Sequence, residues 1–590
     1  MAFDRSFYDK RAEELNEIIK DLTKKANQLS FFRLFLFIAL VISLIFYCRN
    51  QLIWFLLLTV FFICLFSIAC VKHSHIKASL VDKKYQYDIN TQYIDRIKGS
   101  FDTLLDSGDE FFIKNHDYCN DLDLFGKKSL FSLLNISESD YGRSSFAKEL
   151  LFSPVKDRTI EEILRRQKAA EVFAANPVFL QEYQAIAKTK KVKKTPADLL
   201  VSDSGGKNPS IKLCYLALLW IIPLLLAFIS VSYAKVAVAF VMIINLLIWF
   251  MNLQVFTSCF SGMDQAMRSV PVLIRLFEKI ELSELDSEMV KLFENKKYSS
   301  VLLKLKNLSN IAVFRSQPLL DLLVNMFFPL DVWLYVKLKD YTKSYSGIIN
   351  EGVACLGEIE SVMSASMVEI ISKTSTTPEF TDDGAMFEGE NIYHLLINPS
   401  TVVENSISFN DRIVVITGSN MSGKTTLLRT IGTVSILSYM GAKVPASSLK
   451  LSRMRIMSSM RIADNLDEGI STFKAELNQI ASIIKANKEK ETGDKILFLI
   501  DEIFRGTNSV DRTEGALVVL KNLSEKNVCG LMTTHDYAMC DKAQESMNNI
   551  DYYHFAEKYV DDGIKFDYKL QKGVSYISNA KYLMKLVGIV

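Results

Sequence analysis

The sequence lacks the cysteine patterns that would indicate a disulfide-bonded or zinc-binding protein. Its nine cysteines are scattered, their number is odd, and no two of them form a Cys-x-x-Cys pair. This pattern argues against a disulfide framework and against a zinc site. An excess of positive charge is also absent, since 69 basic and 67 acidic residues leave a net charge of +2. The strongly basic composition of a dedicated nucleic-acid binder is therefore missing, although this balance does not decide whether DNA is bound.

Long apolar runs, in contrast, are abundant. Leu34 to Cys48 and Leu52 to Val71 carry no charge and are separated by three residues, and a second pair, Leu213 to Ala234 and Val236 onward, is joined around Lys235. The run from Leu52 to Val71 is long enough to cross a hydrocarbon core of about 30 Å, and the run from Leu34 to Cys48 reaches that length with its end residues and with Arg33 extending to the headgroups. We therefore predict four transmembrane helices in two hairpins, with a fully buried core helix as the alternative for each.

Lysines near the ends of these runs predict the topology. Lys24, Lys25 and Lys72 flank the first hairpin, a lysine-rich stretch precedes the second, and each connecting loop carries one cation. The positive-inside rule then places both termini and the segment 73–212 in the cytoplasm. We expect a multi-pass protein of a bacterial cytoplasmic membrane with a cytoplasmic nucleotide site. The cluster from Lys188 to Lys194 determines topology or contacts lipid headgroups, and contact with a DNA backbone is the other interpretation.

Composition divides the chain into six segments. Helical periodicity dominates the middle of the chain, whereas turns and short strands begin near Thr376. The predicted segments are an amphipathic helix at 1–30, the first membrane hairpin at 31–72, a helical connector and first part of a core domain at 73–212, the second hairpin at 213–259, a helical lever and second part of the core at 260–375, and an α/β nucleotide-binding domain at 376–590.

The stretch from Ile413 to Thr426 has the pattern of a phosphate-binding loop. An unbroken apolar run indicates a buried parallel strand, and two glycines and a Lys-Thr pair follow it at P-loop spacing. Glycines let backbone N–H groups close round phosphates, Lys424 supplies a mobile cation, and the Thr425 hydroxyl is a Mg²⁺ ligand. A chance Gly-rich turn is the alternative. The predicted ATP-binding residues are Gly418, Ser419, Asn420, Met421, Ser422, Gly423, Lys424, Thr425 and Thr426.

Two later strands end in groups suited to phosphoryl transfer. The apolar run from Lys495 ends in Asp501 and Glu502, a Walker B pattern in which Asp501 holds Mg²⁺ through water and Glu502 polarises the attacking water. The run from Gly530 ends in His535, which can sense or stabilise the transferring phosphoryl group; a structural role is the alternative for a lone histidine. The predicted catalytic residues are therefore Lys424, Glu502 and His535, and the predicted metal ligands are Thr425 and Asp501.

These residues also carry a resemblance to a known family. The segments TGSNMSGKTTLLRTIGTVSILSYMGAKVPA, RIADNLDEGISTFKAEL, LIDEIFRGTNSVDR and TTHD are similar, in order and spacing, to the ATPase domain of MutS-type mismatch-repair proteins. The stretch from Leu122 to Phe173 resembles that family's helical core. The resemblance covers roughly 120–212 and 300–590. It implies an α/β P-loop ATPase domain of the ABC type beside an all-α core and lever domain, here combined with the four predicted transmembrane helices.

The resemblance further implies a homodimer in which each nucleotide is closed by the partner subunit. Ser471, Thr472 and Phe473 occupy the family's signature segment, which reaches across the dimer, and Asn508 and Ser509 stand in the loop that lines the seam. An isologous homodimer is the default symmetry for such a composite site.

Departures from the family pattern limit what it implies. No segment resembles the mismatch-reading domain with its Phe-x-Glu wedge, and Phe555-Ala-Glu557 matches the wedge only by accident within a predicted C-terminal hairpin. The second membrane hairpin falls where the family's lever and clamp arms emerge. Phe504 replaces the small residue usual after the Asp-Glu pair, which leaves the local packing open.

Three functions follow as hypotheses. The first is a membrane-anchored ATPase that couples ATP hydrolysis to movement of helical arms and membrane hairpins and acts on an unknown protein client. The second is a membrane-tethered DNA-binding protein of the repair or recombination type, whose DNA affinity we expect to be weak and not mismatch-specific. The third is an ABC-type transporter, which the missing Leu-Ser-Gly-Gly-Gln signature and the segmented membrane portion disfavour.

Overall fold

The computed structural model describes residues 5–152, 158–189, 196–200, 219–419, 421–461, 472–491, 493–504, 508–560 and 563–574. The chain forms two compact units that interleave in sequence. Unit 1 comprises residues 1–137, 143–181 and 361–590, and unit 2 comprises residues 138–142 and 182–360.

Helices account for most of the chain before residue 372. In chain order they are α1 Arg5–Asn50, α2 Ile53–Lys98, α3 Leu130–Leu134, α4 Asp140–Leu150, α5 Ile160–Ala174, α6 Pro177–Lys188, α7 Pro196–Leu200, α8 Ile221–Ala227, α9 Val231–Met251, α10 Leu253–Ala266, α11 Val270–Glu281, α12 Glu288–Lys296, α13 Tyr298–Ile311, α14 Pro318–Phe327 and α15 Leu330–Ile371.

Strands and helices alternate from residue 379 onward, as predicted for an α/β domain. The elements are β1 Glu379–Phe380, β2 Met386–Ile392, β3 Asn405–Asn410, β4 Ile413–Thr417, α16 Lys424–Tyr439, β5 Ser448–Leu451, β6 Arg455–Ser459, α17 Thr472–Glu489, β7 Ile496–Asp501, α18 Ser509–Leu523, β8 Val528–Thr534, α19 Tyr537–Ser546, β9 Ile550–Val560 and β10 Gly563–Lys572.

In unit 1, α1 and α2 form a long helical hairpin with an apolar exterior. The Ser43 and Thr59 hydroxyls hydrogen-bond across it at 2.9 Å, and Arg33 Nη1 lies 2.8 Å from His73 Nδ1. Large side chains such as Phe35 and Trp54 remain exposed. Both helices are long and apolar enough to cross a membrane. Each is continuous over 46 residues, so no break separates the predicted segments at 30/31 or 72/73.

The α/β part of unit 1 contains two sheets. The larger has the strand order β10-β9-β4-β8-β7-β6, in which β4, β6, β7, β8 and β9 are parallel and β10 pairs antiparallel with β9. Residues of β4, β7 and β8 are all buried, as expected for central parallel strands covered on both faces. The smaller sheet has the order β1-β5-β2-β3. The predicted C-terminal hairpin is β9 and β10.

Part of the predicted helical connector packs against the α/β sheet within unit 1. Asp121 accepts hydrogen bonds from Ser458 Oγ at 2.7 Å and from the N–H groups of Met460 and Arg461 at 3.0 and 2.9 Å. The Arg461 side chain pairs with Asp123. These contacts explain why residues 73–137 belong to the same compact unit as the α/β domain, a division that differs from the six predicted segments.

Unit 2 contains the second group of apolar helices. Helix α9 is long and apolar enough to cross a membrane, and α8 packs against it. The loop between them is Phe228–Ser230. The predicted loop at Lys235 is therefore wrong, because Lys235 lies inside α9. Of the predicted span from Leu213 to Ala234, residues 213–218 lie outside the described part of the chain.

Candidate nucleotide site

The carboxyl ends of β4, β7 and β8 meet at one edge of the larger sheet. These three strands are neighbours and parallel, so Gly418, Glu502 and His535, which follow them, come to the same side. Ligands of open α/β sheets bind outside the carboxyl ends of strands. The structure thus brings together the three sequence motifs that were predicted to act as one site.

The loop between β4 and α16 needs glycine at both of its ends. Gly418 and Gly423 have φ values of +143° and +109°. A Cβ on Gly418 would lie 3.2 Å from the carbonyl oxygen of Phe555 and 3.0 Å from Ser422 Oγ. Ser422 is buried and its Oγ has no partner among the described residues, whereas Met421 is exposed. Asn420 lies outside the described residues.

Lys424, the first residue of α16, is buried with its ammonium group folded back on the loop. Its Nζ donates to the carbonyl oxygens of Gly418 and Ser419 at 2.7 and 2.8 Å, and lies 3.8 Å from Glu502 Oε1. Only 4% of the side chain is exposed. A buried ammonium must be paired, and here loop carbonyls and a carboxylate take that role.

Asp501 is held between two threonine hydroxyls. Thr425 Oγ1 donates to Asp501 Oδ2 at 2.8 Å, and Thr533 Oγ1 donates to Asp501 Oδ1 at 2.5 Å. The hydroxyl of Thr425 and the carboxylate of Asp501, predicted as metal ligands, are therefore adjacent. Oxygen ligands of this kind suit Mg²⁺.

Glu502 lies directly beside His535. Glu502 Oε1 is 2.6 Å from His535 Nε2. Because a carboxylate can only accept, Nε2 carries the proton, and its 3.2 Å distance to Lys424 Nζ is then a close approach between two donors. The Glu502 backbone has φ +51°, and its N–H donates to Thr533 Oγ1 at 3.0 Å. The three predicted catalytic side chains thus form one cluster.

Phe504 has a well-defined packing site. Its backbone has φ +59°, its N–H donates to the buried carboxylate of Glu476, and its C=O accepts from Arg512 Nε at 3.2 Å. Its ring lies against Phe473, with centroids 6.0 Å apart, and fills the space above Gly515. Glu476 was not predicted; a buried acid on the amphipathic α17 is a signal that sequence reasoning passed over.

A cleft of about 870 Å³ opens at the same edge. Lys424, Asp501 and Glu502 line one part, and an apolar part is formed by side chains that include Val402, Phe555 and Tyr568. Phe555 is buried in this wall.

His394 also lines the cleft and was not predicted. Its Nδ1 accepts from the N–H of Leu396 at 3.3 Å, and its Nε2 has no partner among the described residues. Burial, reinforced by the charge of Arg429, lowers the pKa of His394 to about 4.

Of the residues predicted to contact a partner subunit, Asn508 and Ser509 do not line the cleft. Asn508 caps α18 by accepting from the N–H of Asp511 at 2.8 Å, and Asn508 and Ser509 are exposed. Thr472 begins α17, and Ser471 lies outside the described residues. Thr426, in the first turn of α16, lines the cleft.

Comparison with known proteins agrees with this architecture. Residues 414–589 match the family model described as MutS domain V. DNA mismatch repair protein MutS 2 of Halobacterium salinarum is 30% identical over 221 residues, which are 36% of this chain and 25% of that protein. DNA mismatch repair protein MutS of Flavobacterium johnsoniae is 35% identical over 181 residues, 30% of this chain and 20% of that protein. DNA mismatch repair protein MutS of Thermus thermophilus is 26% identical over 259 residues, which are 43% of this chain and 30% of that protein.

The fold and the cleft define a mixed α/β domain with its ligand site at the carboxyl edge of a largely parallel sheet. Through this domain, residues 414–589, the chain is similar to the ATPase domain of MutS-type proteins. The chain spans only a fifth to about a third of the length of these curated relatives.

Proposed function

We propose that this protein is a membrane-anchored MutS-like ATPase that binds ATP with Mg²⁺ and hydrolyses it. The observation that carries the proposal is the single cluster made by Lys424, Glu502, His535 and the Thr425–Asp501 pair at the edge of the cleft. Phosphoryl transfer requires positioning and charge stabilisation more than covalent chemistry, and this cluster offers a cation, a carboxylate base and oxygen ligands.

The residues fit a triphosphate and its metal. Two glycines leave no Cβ at the loop, and Thr425 and Asp501 offer adjacent oxygens. The buried Ser422 hydroxyl has no hydrogen-bond partner among the residues that the structure describes. Mg²⁺, when bound, would neutralise phosphate charge. Lys424 would exchange the carbonyls of Gly418 and Ser419 for phosphate oxygens, which are stronger partners for an ammonium group.

Glu502 and His535 have complementary roles in this proposal. Glu502 accepts a proton from the attacking water, and the N–H of His535 orients the carboxylate through the 2.6 Å contact. The apolar part of the cleft, with Val402 and Tyr568, suits the flat face of an adenine base.

We further propose that the protein acts as a homodimer with composite sites. The exposed N-terminal end of α18, with Asn508 and Ser509, supports a seam at this surface, and Ser471 and Thr472 would reach the partner's nucleotide. Opening and closing of the dimer would move the helical arms and the apolar hairpins. Three helices in the described residues are long and apolar enough to span a membrane, which supports membrane anchoring. The lysines near the ends of the apolar runs support a cytoplasmic ATPase domain.

Nucleotide binding to Lys424→Ala tests the phosphate-binding role. Lys485→Ala is the matched control, because Lys485 is an exposed lysine on α17 outside the cleft. We expect Lys424→Ala to weaken binding of ATP with Mg²⁺ by at least about tenfold, roughly 1.4 kcal/mol, and the control to bind normally. Equal affinities in a fluorescent-nucleotide titration would contradict the proposal.

DNA binding is a second candidate function. Its support is that the similar curated proteins are DNA mismatch repair proteins by name. A salt titration of DNA binding by the detergent-solubilised chain tests it, because phosphate contacts give a steep dependence on salt. Binding that is absent at low salt would exclude this function.

A further inference from the structure

Helix α14 in unit 2 has the reverse of the burial pattern expected for a helix surrounded by water. Its polar residues Asp321 and Asn325 are buried, whereas Leu319 is 73% exposed and Leu320 and Phe327 are also exposed. A surface helix of a water-soluble protein directs its apolar stripe inward and its polar residues outward. The inverted pattern indicates that the medium around α14 is apolar.

The dimensions of α14 do not allow it to cross a bilayer. Its ten residues extend about 15 Å, half of the hydrocarbon thickness of about 30 Å. The chain then turns by 93° into α15 at a short break, which we call the elbow, Phe328–Pro329. The helix therefore enters an apolar layer without reaching its other side.

Backbone groups near the elbow are satisfied by side chains. Trp220 Nε1 donates to the carbonyl oxygen of Phe327 at 2.7 Å, and Asn245 Nδ2 donates to that of Met326 at 3.2 Å. The N–H of Asp331, in the first turn of α15, donates to Asn325 Oδ1 at 2.9 Å. Hydrocarbon offers no hydrogen bonds, so irregular backbone survives at membrane depth only where protein supplies the partners.

The apolar surface of α14 adjoins the apolar helices α8 and α9. The ring of Trp220, beside α8, stacks on Phe327 with centroids 6.0 Å apart. Asn245 lies about six residues, or roughly 9 Å, before the C-terminal end of α9. Trp249, nearer that end, donates to Asp331 at 3.0 Å, and Asp331 also pairs with Arg315. The ion pair of Arg315 and Asp331 thus lies toward the C-terminal end of α9, whereas the carbonyl groups of Met326 and Phe327 lie beside Asn245, farther from that end.

We propose that α14 is embedded in the bilayer leaflet around the C-terminal end of α9, with its leucine face against lipid acyl chains. The helix enters and leaves this leaflet on the same side. This inference rests on the proposed membrane placement of α9, and it is supported by the combined apolar character of α14 and α15, which together are long and apolar enough for a membrane segment. Asn245, which contacts the C-terminal end of α14, lies about 9 Å from the C-terminal end of α9. We therefore expect α14 to lie at a shallow depth, in the range for helices buried at the boundary between headgroups and acyl chains.

Fluorescence quenching in liposomes tests the proposal. Single cysteines would be introduced at Leu319, at Phe240 on α9 as the membrane control, and at Leu282 as the aqueous control, in the full chain with its exposed native cysteines replaced. Leu282 is a matched control because it is a leucine of unit 2 that is 81% exposed at the end of α11. Each would carry an environment-sensitive fluorophore in phosphatidylcholine–phosphatidylglycerol vesicles, with phosphatidylcholine brominated at shallow or deep acyl positions.

We expect the label at Leu319 to be quenched at least about threefold more by shallow bromines than the label at Leu282, and to be protected from aqueous iodide. Iodide quenching equal to that at Leu282 would overturn the proposal. Protection from iodide without bromine quenching would also overturn it, because a protein surface would then cover the leucines. Absence of bromine quenching at Phe240 as well would contradict the membrane placement of α9 itself. Failure of the α14 proposal can therefore be distinguished from failure of the proposed membrane anchoring.

Side-specific labelling separates a re-entrant helix from a crossing one. Gln317 precedes α14, and Lys337 is an exposed residue of α15. Single cysteines at the two positions should react with a membrane-impermeant maleimide from the same side of sealed vesicles. Reaction from opposite sides would mean that the segment crosses, and would overturn the re-entrant path.

Discussion

The buried His394 in the cleft makes the stability of the α/β domain depend on pH. Burial and the nearby Arg429 charge lower its pKa to about 4, from an ordinary value of 6.5. Above pH 6.5 the ring is neutral in both the folded and the unfolded state, so it has no effect. Between pH 6.5 and about pH 4 the unfolded chain takes up the proton more readily than the folded chain, and this favours unfolding. The free energy of unfolding should fall by about 2 kcal/mol at pH 5 and about 3 kcal/mol at pH 4 through this residue.

The variant His394→Asn isolates this effect. An asparagine oxygen can still accept the N–H of Leu396, which now donates to Nδ1 at 3.3 Å, but it does not titrate. Thermal unfolding of detergent-solubilised wild type and variant would be measured at pH 7.5 and pH 5. At about 2–4 °C per kcal/mol, the Tm difference between the two proteins should shift by about 4–8 °C in favour of the variant at the lower pH. A Tm difference that is the same at both pH values would refute the assignment of a depressed pKa.

Three further predictions follow from the proposed function. Glu476→Ala leaves the buried Phe504 N–H without its acceptor, at a cost of about 1–3 kcal/mol. It should lower kcat for ATP hydrolysis about tenfold or more with little change in KM, whereas Glu476→Gln should retain most activity. Equal steady-state rates for the Glu476→Ala variant and the wild type would contradict this prediction. Cysteines at position 50 and at position 229, in the loop Phe228–Ser230, should react with an impermeant reagent from outside and one at 200 should not, and the opposite pattern would reverse the topology. DNA should bind weakly and without mismatch preference, so a preference above about tenfold for a G·T heteroduplex in competition would favour the repair function.

Much of the nucleotide site could be predicted from sequence because its parts are local. A buried strand, a glycine loop and a following helix are adjacent in the chain, and the strands before Glu502 and His535 are unbroken apolar runs. Their convergence followed from the rule that parallel strands place their carboxyl ends at one edge. The contact between Glu502 and His535 depends on the pairing of β7 with β8, and the sequence of neither strand alone predicts that the two strands are neighbours.

Partners that are distant in sequence were beyond prediction. Asp121 receives three hydrogen bonds from residues almost 340 positions away, and Glu476 fixes a backbone N–H 28 positions away. Asp121 belongs to no local pattern, and the position of Glu476 on an amphipathic helix does not identify the N–H group that it binds. His394 lies before β3 in a stretch with no periodicity that would mark it as a residue of the cleft.

The long apolar helices show a different limit. Hydropathy found the long runs, but Lys235 suggested a loop that the structure has at Phe228–Ser230, because one lysine in an apolar helix is tolerated near its end. Helix α14 was not predicted from the sequence because it is shorter than a membrane-spanning helix and because Asp321 and Asn325 interrupt its apolar run.

ATP hydrolysis by Glu502→Gln tests the central claim most directly. The substitution keeps the size of the side chain beside His535 but removes the carboxylate that would take the proton from water. With Mg²⁺ present, we expect turnover to fall by about 100-fold or more while ATP binding is preserved and a dimer accumulates. Turnover equal to that of the wild type would contradict the assignment of Glu502 and, with it, the proposed mechanism.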